Sequence, residues 1–153
     1  MKKIAFVLIF SVLAACATTG HVSRVDAPSL DQKNFKNVDS TGRIVGIYVY
    51  HSAFPTDNGD MTMKAIMNAL NGKASFYKLN VKDLSTDDQR YVSTNIVDGL
   101  VLPSYVFYAN GKKVNLVKGA RSTREDADKL GRELFQGFED RNWYQERKAP
   151  RKK

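Results

Sequence analysis

The chain has 153 residues, of which 42% are hydrophobic and 26% are charged, with ten glycines, four prolines and a single cysteine. This composition predicts one ordinary globular domain, and it excludes a bundle of membrane helices, a disulfide-rich scaffold and a collagen-like or wholly disordered chain. A single cysteine also excludes an internal disulfide, a Cys-x-x-Cys redox pair and a zinc site built from cysteines. The net charge of +8 suggests an anionic partner or surface.

Residues 1–15 predict an export signal. Lys2 and Lys3 supply its positive charge, and residues 4–13 form an apolar run, far shorter than the about 20 residues that a membrane-spanning helix needs. The next residues, Leu13-Ala14-Ala15-Cys16, resemble the lipobox of bacterial lipoproteins. The resemblance implies that Cys16 is acylated and becomes the first residue of a membrane-anchored mature chain. An ordinary secretory signal with a chance cysteine is the alternative.

The polar stretch of residues 16–40 predicts a flexible tether, because it is rich in Thr, Ser, Asp, Asn and Gln and carries only isolated apolar residues. Ala17, rather than an aspartate, follows the cysteine, and in lipoproteins this favours the outer membrane over retention at the inner membrane. The compact domain is therefore predicted for residues 41–140, facing the periplasm.

The first half of this domain predicts a strand, a helix, a strand and a second helix. Residues 44–50 are continuously apolar or aromatic, which is typical of a central strand covered on both faces. Apolar residues then recur at helical spacing from 63 to 70, and Gly72 ends that helix. Residues 75–81 alternate as a strand does, and a helix is predicted from Ser85 to about Asn95.

The second half predicts a β-hairpin and a closing helix. Residues 105–108 and 114–117 are short β runs, and Asn110-Gly111 between them tolerates the positive φ of a type I′ turn. Ser122 and Glu125 have the spacing of a capping box at the start of the last helix. This order of elements predicts an α/β fold in which a mixed sheet lies between helices.

Residues 141–153 form a basic tail with six basic side chains against one acidic side chain. Its composition cannot bury enough apolar surface to order itself. The tail is predicted to contact anionic lipid, cell-wall polymer or an acidic protein, and a merely solvated tail is the alternative. Nucleic acid is not expected as a partner, because no recognised nucleic-acid motif accompanies the charge. The residues predicted to make these anionic contacts are Arg147, Lys148, Arg151, Lys152 and Lys153.

The order β-α-β-α-β-β-α over residues 41–140 resembles the thioredoxin fold. Ala53-Phe54-Pro55-Thr56 stands where thioredoxins carry Cys-Gly-Pro-Cys, directly after the first central strand. Leu102-Pro103-Ser104 resembles the Ile-Pro-Thr element whose cis proline faces that motif, and the hairpin follows it as in the family. The loop before Pro103 departs from the family, because Gly99 lies four positions before the proline rather than two.

The departure that decides the chemistry is the loss of both sulfurs. Thiol–disulfide exchange needs one thiolate to attack and a second sulfur to resolve the mixed disulfide. Ala53 and Thr56 provide neither, and the acylation implied for Cys16 leaves no free thiol. The sequence therefore predicts a redox-inactive protein that is not an enzyme and needs no cofactor.

In thioredoxins the redox loop and the cis proline also form the surface on which extended peptides dock. The resemblance therefore implies a lipid-anchored binding or scaffold protein of the bacterial envelope, with a protein partner such as a component of a secretion or conjugation apparatus. The residues predicted to bind that partner are Phe54, Pro55, Thr56, Leu102, Pro103 and Ser104.

Two other functions stay open from the sequence. One is a thiol-independent stress or metal-handling protein, since soft ligands cluster near the loop, although Met63 and Met67 also fit a helix core. The other is a wall-binding or sensor protein in which the tail makes the contacts. The candidate soft ligands are His51, Met61, Met63 and Met67.

Overall fold

The computed structural model describes residues 20–99 and 101–143. The strands in this part of the chain are β1 (Ser29–Leu30), β2 (Ile44–Tyr50), β3 (Ala74–Asn80), β4 (Ser104–Ala109) and β5 (Lys112–Lys118). The α-helices are α1 (Asp57–Ala69), α2 (Thr86–Tyr91) and α3 (Arg124–Asp140). A short 3-10 helix (Val81–Asp83) precedes α2, and a π-helical turn (Val92–Ile96) continues it.

The five strands form one mixed sheet in the order β1-β3-β2-β4-β5. β1, β2 and β3 run parallel, β4 is antiparallel to β2, and β5 is antiparallel to β4. All seven residues of β2 are buried, as expected of a central strand with both faces covered. The predicted α/β fold with a mixed sheet between helices is confirmed, with β1 as a strand that the sequence did not predict.

Side chains that alternate along β2 point into two separate cores. Ile44, Tyr48 and Tyr50 share one core with α1 and α3, whose axes come so close that a β-carbon on Gly131 would lie 2.9 Å from the Ala65 carbonyl oxygen. Val45, Ile47 and Val49 share the other core with Leu84, which precedes α2, and with Val92 and Ile96 of the π-helical turn. The sheet is therefore covered on both faces, and the loops at its edges are left to form a site.

The predicted tether of residues 16–40 is wrong for the part that the structure describes. Val25, Leu30 and Phe35 are buried core side chains, and β1 pairs with the edge of β3. The Lys78 ammonium donates to the carbonyl oxygens of Ser23 (3.4 Å) and Val25 (3.0 Å). The isolated apolar residues of this polar stretch are the ones that pack, so residues 20–40 belong to the domain.

The other boundaries shift by a few residues. α3 is capped by Thr123, whose Oγ1 accepts from the Asp126 amide at 3.1 Å, and not by the predicted Ser122 and Glu125 pair. The folded domain extends past its predicted end at Asp140, because Trp143 packs on the core and its amide donates to the Phe138 carbonyl at 3.1 Å. The Asn110-Gly111 turn is confirmed, with φ of 50° and 75°.

Two groups of predicted residues lie outside the described part of the chain. One is Cys16 with the export signal, and the other is the basic tail from residue 144 onward. Of the helices in the described ranges, none combines the length and the apolar character needed to cross a bilayer.

Candidate functional site

The loop at the carboxyl end of β2 is held in place by Asn80 at the end of β3. The Asn80 side chain accepts from the Ser52 amide at 3.1 Å and donates to the Ser52 hydroxyl at 3.0 Å. Within the loop, His51 Nδ1 accepts from the Ala53 amide at 3.1 Å, and the His51 carbonyl accepts from the Phe54 amide at 3.1 Å. These bonds fix the backbone of residues 51–54, so Phe54 is presented from a rigid turn.

A second loop faces the first, and it contains the cis peptide bond Leu102–Pro103. The Pro103 carbonyl accepts from the Gly119 amide at 2.8 Å, which ties the loop to the end of β5. Among the described residues, neither the amide nor the carbonyl of Leu102 has a hydrogen-bond partner. Within the described ranges, Leu102 therefore leaves one donor and one acceptor unpaired beside the proline.

The remodelled segment before the proline is pinned by two lysines of β5. Asp98 and Gly99 both have positive φ, of 51° and 111°. The Lys113 ammonium donates to the Asp98 carboxylate at 2.9 Å and to the Ile96 carbonyl at 3.1 Å, and the Lys118 ammonium donates to the Asp98 carbonyl at 2.6 Å. These contacts set the position from which the chain returns towards Leu102.

Two cavities flank the side chains of Phe54 and Leu102. The smaller, of about 70 Å³, lies between the two loops and is lined in part by Pro55, Thr56 and Pro103. The larger, of about 500 Å³, is mostly apolar and is lined in part by Val81, Val92 and Val97. The sequence did not predict the larger cavity, because it forms where the π-helical turn, the end of β3 and the two loops meet.

The structure brings the six predicted partner-binding residues to one end of the sheet, but it does not expose them all. Phe54 is 63% exposed, Pro55 is exposed, and Leu102 and Pro103 are half-buried. Ser104 is fully buried and donates to the Val101 carbonyl at 2.6 Å, and Thr56 is buried where α1 begins. Burial removes Ser104 and Thr56 from the predicted contact residues, and the four that remain accessible, Phe54, Pro55, Leu102 and Pro103, are hereafter called the docking surface after the role predicted for them.

Three stacked tyrosines lie beneath the docking surface. The Tyr48 ring is 5.1 Å from that of Tyr50 and 5.5 Å from that of Tyr105, between centroids. Burial, with the nearby charge of Asp60, raises the pKa of the Tyr48 hydroxyl far above its ordinary value, and burial likewise raises the pKa of Tyr50 and of Tyr105. The three hydroxyls stay protonated at neutral pH, so none of them acts as an anionic nucleophile or base there.

A buried carboxylate beside these tyrosines fixes the N-terminal segment to α1. Asp60 is only 5% exposed, and its oxygens accept from the Ser23 hydroxyl at 2.9 Å and from the Arg24 amide at 2.5 Å. Asp60 lies in the first turn of α1, where a carboxylate suits the helix dipole, but the sequence did not predict that it also holds the N-terminal segment. One signal was available: Asp60 stands three residues before Met63, on the apolar face of the helix.

Two of the candidate soft ligands lie in different surroundings. Met63 is fully buried in the core formed by α1 and α3, whereas His51 lies in the loop and its Nδ1 accepts from a backbone amide. Within residues 20–99 and 101–143, no group of three or more His, Cys, Asp or Glu side chains is placed to hold a metal ion.

No protein-family model matches the chain, and no curated protein matches it. Solved structures do. Thioredoxin from Trypanosoma brucei brucei has a TM-score of 0.56 at 17% identity, covering 74% of this chain and 92% of its own. Thioredoxin from Malassezia sympodialis, described as a member of a pan-allergen family, has a TM-score of 0.52 at 20% identity, covering 76% of this chain and 93% of its own. Thioredoxin from Plasmodium falciparum has a TM-score of 0.52 at 17% identity, covering 73% and 99%.

The fold is thioredoxin-like. At these identities the likeness concerns the fold alone. In this thioredoxin-like domain the Ala53–Thr56 segment lies between β2 and α1, opposite the cis Pro103, at the place where the sequence resemblance put it.

Proposed function

We propose that this chain is a lipid-anchored, redox-inactive, thioredoxin-like binding protein of the bacterial cell envelope. It is held at the outer membrane with its domain in the periplasm, and it serves as a scaffold in an envelope assembly such as a secretion apparatus. The observation that carries the proposal is an exposed Phe54 set between two cavities and beside the unpaired backbone of Leu102, in a loop without sulfur.

The residues of the loop support the proposed absence of redox chemistry. Ala53 has no nucleophilic atom, and Thr56 offers a buried hydroxyl where thiol–disulfide exchange needs a sulfur. The only cysteine of the chain is Cys16, which the lipobox assigns to the anchor. A purified mature protein is expected to leave insulin disulfides intact, whereas measurable reduction by a Cys16→Ser protein would contradict this part of the proposal.

Peptide binding is supported by the way that the docking surface combines apolar and polar groups. An extended peptide can pair its backbone with the free amide and carbonyl of Leu102, as a strand pairs with a sheet edge. Its side chains can then fill the apolar cavity of about 500 Å³ beside Phe54. The backbone hydrogen bonds would set the direction in which the peptide lies, and the cavity would select its side chains.

The membrane anchor and the basic tail complete the proposal. An acylated Cys16 carrying two or three fatty chains holds a protein stably, because each buried methylene contributes about 0.8 kcal/mol. The basic residues beyond Trp143 provide a second contact, with anionic lipid, wall polymer or an acidic protein. Both elements keep the domain close to the envelope surface where its partner resides.

A photo-crosslinking experiment in intact cells tests the docking surface. A benzophenone amino acid is placed at Phe54 and, as a matched control, at the exposed Asn71 beyond the far end of α1. A discrete crosslinked partner is expected from position 54 and not from position 71, and a chain ending at Trp143 tests the tail separately. The same crosslinks from both positions, or none from position 54, would refute the assignment.

A further inference from the structure

The start of the described chain lies against the loop that carries Phe54. The His21 amide donates to the Ser52 carbonyl at 2.7 Å, and a β-carbon on Gly20 would lie 3.7 Å from that same oxygen. Asp60 holds Ser23 and Arg24, and Val25 is 2% exposed in the core. The chain is therefore held in place from Gly20 onward. Its contact is with Ser52, which precedes Phe54 by two residues.

The distance from this fixed point to the anchor is short. Cys16 precedes Gly20 by four residues. Four residues span at most about 14 Å even when fully extended. The headgroup layer on each side of the hydrocarbon core is roughly 5–7 Å thick. An acylated Cys16 thus keeps Gly20 and Ser52 within or beside the lipid headgroups.

The same end of the domain carries most of its exposed large apolar side chains. In the described ranges they are Val22 (78%), Phe54 (63%) and Val101 (45%). The fourth exposed large apolar side chain, Tyr91 (39%), lies on α2. Val22 follows the residue that bonds Ser52, and Val101 precedes the Leu102 that lines both cavities with Phe54. Val22, Phe54 and Val101 are hereafter the apolar rim.

The charges beside the apolar rim do not oppose a lipid surface. Arg24 and Lys82 are exposed at this end, and so are Asp57 and Asp83. Arg24 and Asp57 line one cleft, and Lys82 and Asp83 stand together after β3. Lys113, Lys118 and Asp98 lie beside Val101 as well, which makes four basic side chains against three acidic ones, so a mixed zwitterionic and anionic bilayer does not repel this end.

We infer that the apolar rim rests in the headgroup layer of the membrane that carries the anchor, so that lipid covers these exposed side chains whenever no partner is bound. Apolar side chains buried in that layer are stabilised as in interfacial helices, and the short connection supplies the proximity. The docking surface then opens at the membrane, and a partner must approach it along the lipid surface. This inference rests on the acylation of Cys16 in the proposed function.

Site-directed spin labelling of the acylated full mature chain tests this inference. Phe54→Cys, Val101→Cys and the control Asn71→Cys are each made alone, and the labelled thiol is unique because Cys16, the only other cysteine, is taken by lipid. Each protein is reconstituted in vesicles of phosphatidylethanolamine and phosphatidylglycerol. Circular dichroism verifies folding, which substitutions at exposed positions should not disturb.

The expected result is a severalfold loss of collisions with a water-soluble nickel chelate at positions 54 and 101 relative to position 71, with a matching gain of collisions with oxygen. Equal accessibility at all three positions, in protein whose acylation is verified by mass spectrometry, overturns the inference and leaves the proposed function standing. Protection seen only in native envelope membranes means that a protein is the occupant, which also overturns it. A mature chain without acyl groups on Cys16 refutes the anchor and this inference together.

Discussion

Asp60 is a charged residue on the apolar face of α1, and its environment explains why it is kept there. A carboxylate removed from water is costly unless its oxygens are hydrogen-bonded. Here Ser23 and Arg24 supply those bonds from a segment that has little regular structure of its own. The same two hydrogen bonds therefore offset the cost of burying the Asp60 carboxylate and hold the N-terminal segment against the domain.

Asp60→Asn is expected to destabilise the domain by about 1–3 kcal/mol, because the amide keeps only one acceptor oxygen and loses the charge that strengthens both hydrogen bonds. Asp57→Asn is the matched control, since Asp57 lies one turn earlier on α1 and is exposed, and its effect should stay within about 0.5 kcal/mol. Urea denaturation measures both free energies of unfolding. Faster tryptic cleavage after Arg24 in the Asp60 variant alone would show that the segment has been released, and equal effects of the two variants would contradict this role.

At the scale of elements, α1 approaches the sheet through Gly59. A β-carbon at this position would lie 2.3 Å from the Tyr48 hydroxyl oxygen, 3.2 Å from its Cζ and 3.3 Å from Pro103 Cγ. The Tyr48 hydroxyl is buried and has no hydrogen-bond partner among the described residues. The contact between β2, α1 and the proline loop is thus set by the absence of one side chain.

Gly59→Ala is expected to cost about 1–3 kcal/mol through this overlap. Adding Tyr48→Phe should recover part of the loss, because it removes the atom that the new methyl group meets first. Gly137→Ala is the control, since its β-carbon would meet nothing within 4 Å in α3, and a helical glycine replaced by alanine should gain about 0.5–1 kcal/mol. Thermal unfolding of these three variants and of the wild type would contradict the account if the double variant were no more stable than Gly59→Ala.

The segment before β2 is joined to α2 by Lys36. Its ammonium donates to the Asp88 carboxylate and lies 4.8 Å from the centroid of the Tyr91 ring. The hydrogen bond from Lys36, with a second one from the Ser85 hydroxyl, lowers the pKa of Asp88 below its ordinary value. A lowered pKa in the folded state means that the stabilisation is complete above the unfolded pKa and is lost as the pH falls through the folded pKa.

Lys36→Met is therefore expected to be less stable than the wild type at pH 6, and the difference should shrink as the pH falls below about 4, where unfolded aspartate takes up its proton. Denaturant unfolding between pH 2 and 7 measures the difference. Lys33→Met removes the same charge from an exposed neighbouring position and should show no such trend. A deficit that stays constant with pH would mean that Lys36 acts only through packing on the rings.

For the whole molecule, the features that the sequence predicted are those set by neighbours in the chain. The buried run of β2, the Asn110-Gly111 hairpin and the Ser85 cap of α2 each depend on a few adjacent residues. The opposition of the 53–56 segment and Pro103 was predicted from the family resemblance instead.

What the sequence did not predict depends on contacts between distant segments. β1 has only two residues and forms by pairing with the edge of β3. A strand of this length has no alternating pattern from which it could be predicted. Ser104 is buried because β4 lies between β2 and β5, and the cavity beside Phe54 needs the π-helical turn to be in place. The pattern of neighbouring residues in the sequence does not indicate such packing.

The last prediction concerns the length of chain between the anchor and the domain. Twenty Gly and Ser residues inserted between Thr19 and Gly20 would add a flexible segment with a root-mean-square length of about 25 Å. The effective concentration of the apolar rim at the lipid then falls, so a spin label at Phe54→Cys should become as accessible to the nickel chelate as one at Asn71→Cys.

The same twenty residues added after Lys153 are the control, and they should leave the label at position 54 protected. Acylation is verified in both proteins, so that any change in accessibility reports the position of the domain. If the label stayed protected behind the long linker, the short connection would not be what places this end of the domain at the membrane. If it became accessible, the four residues after Cys16 would fix the direction in which the docking surface faces, and its partner would have to be sought at the lipid surface.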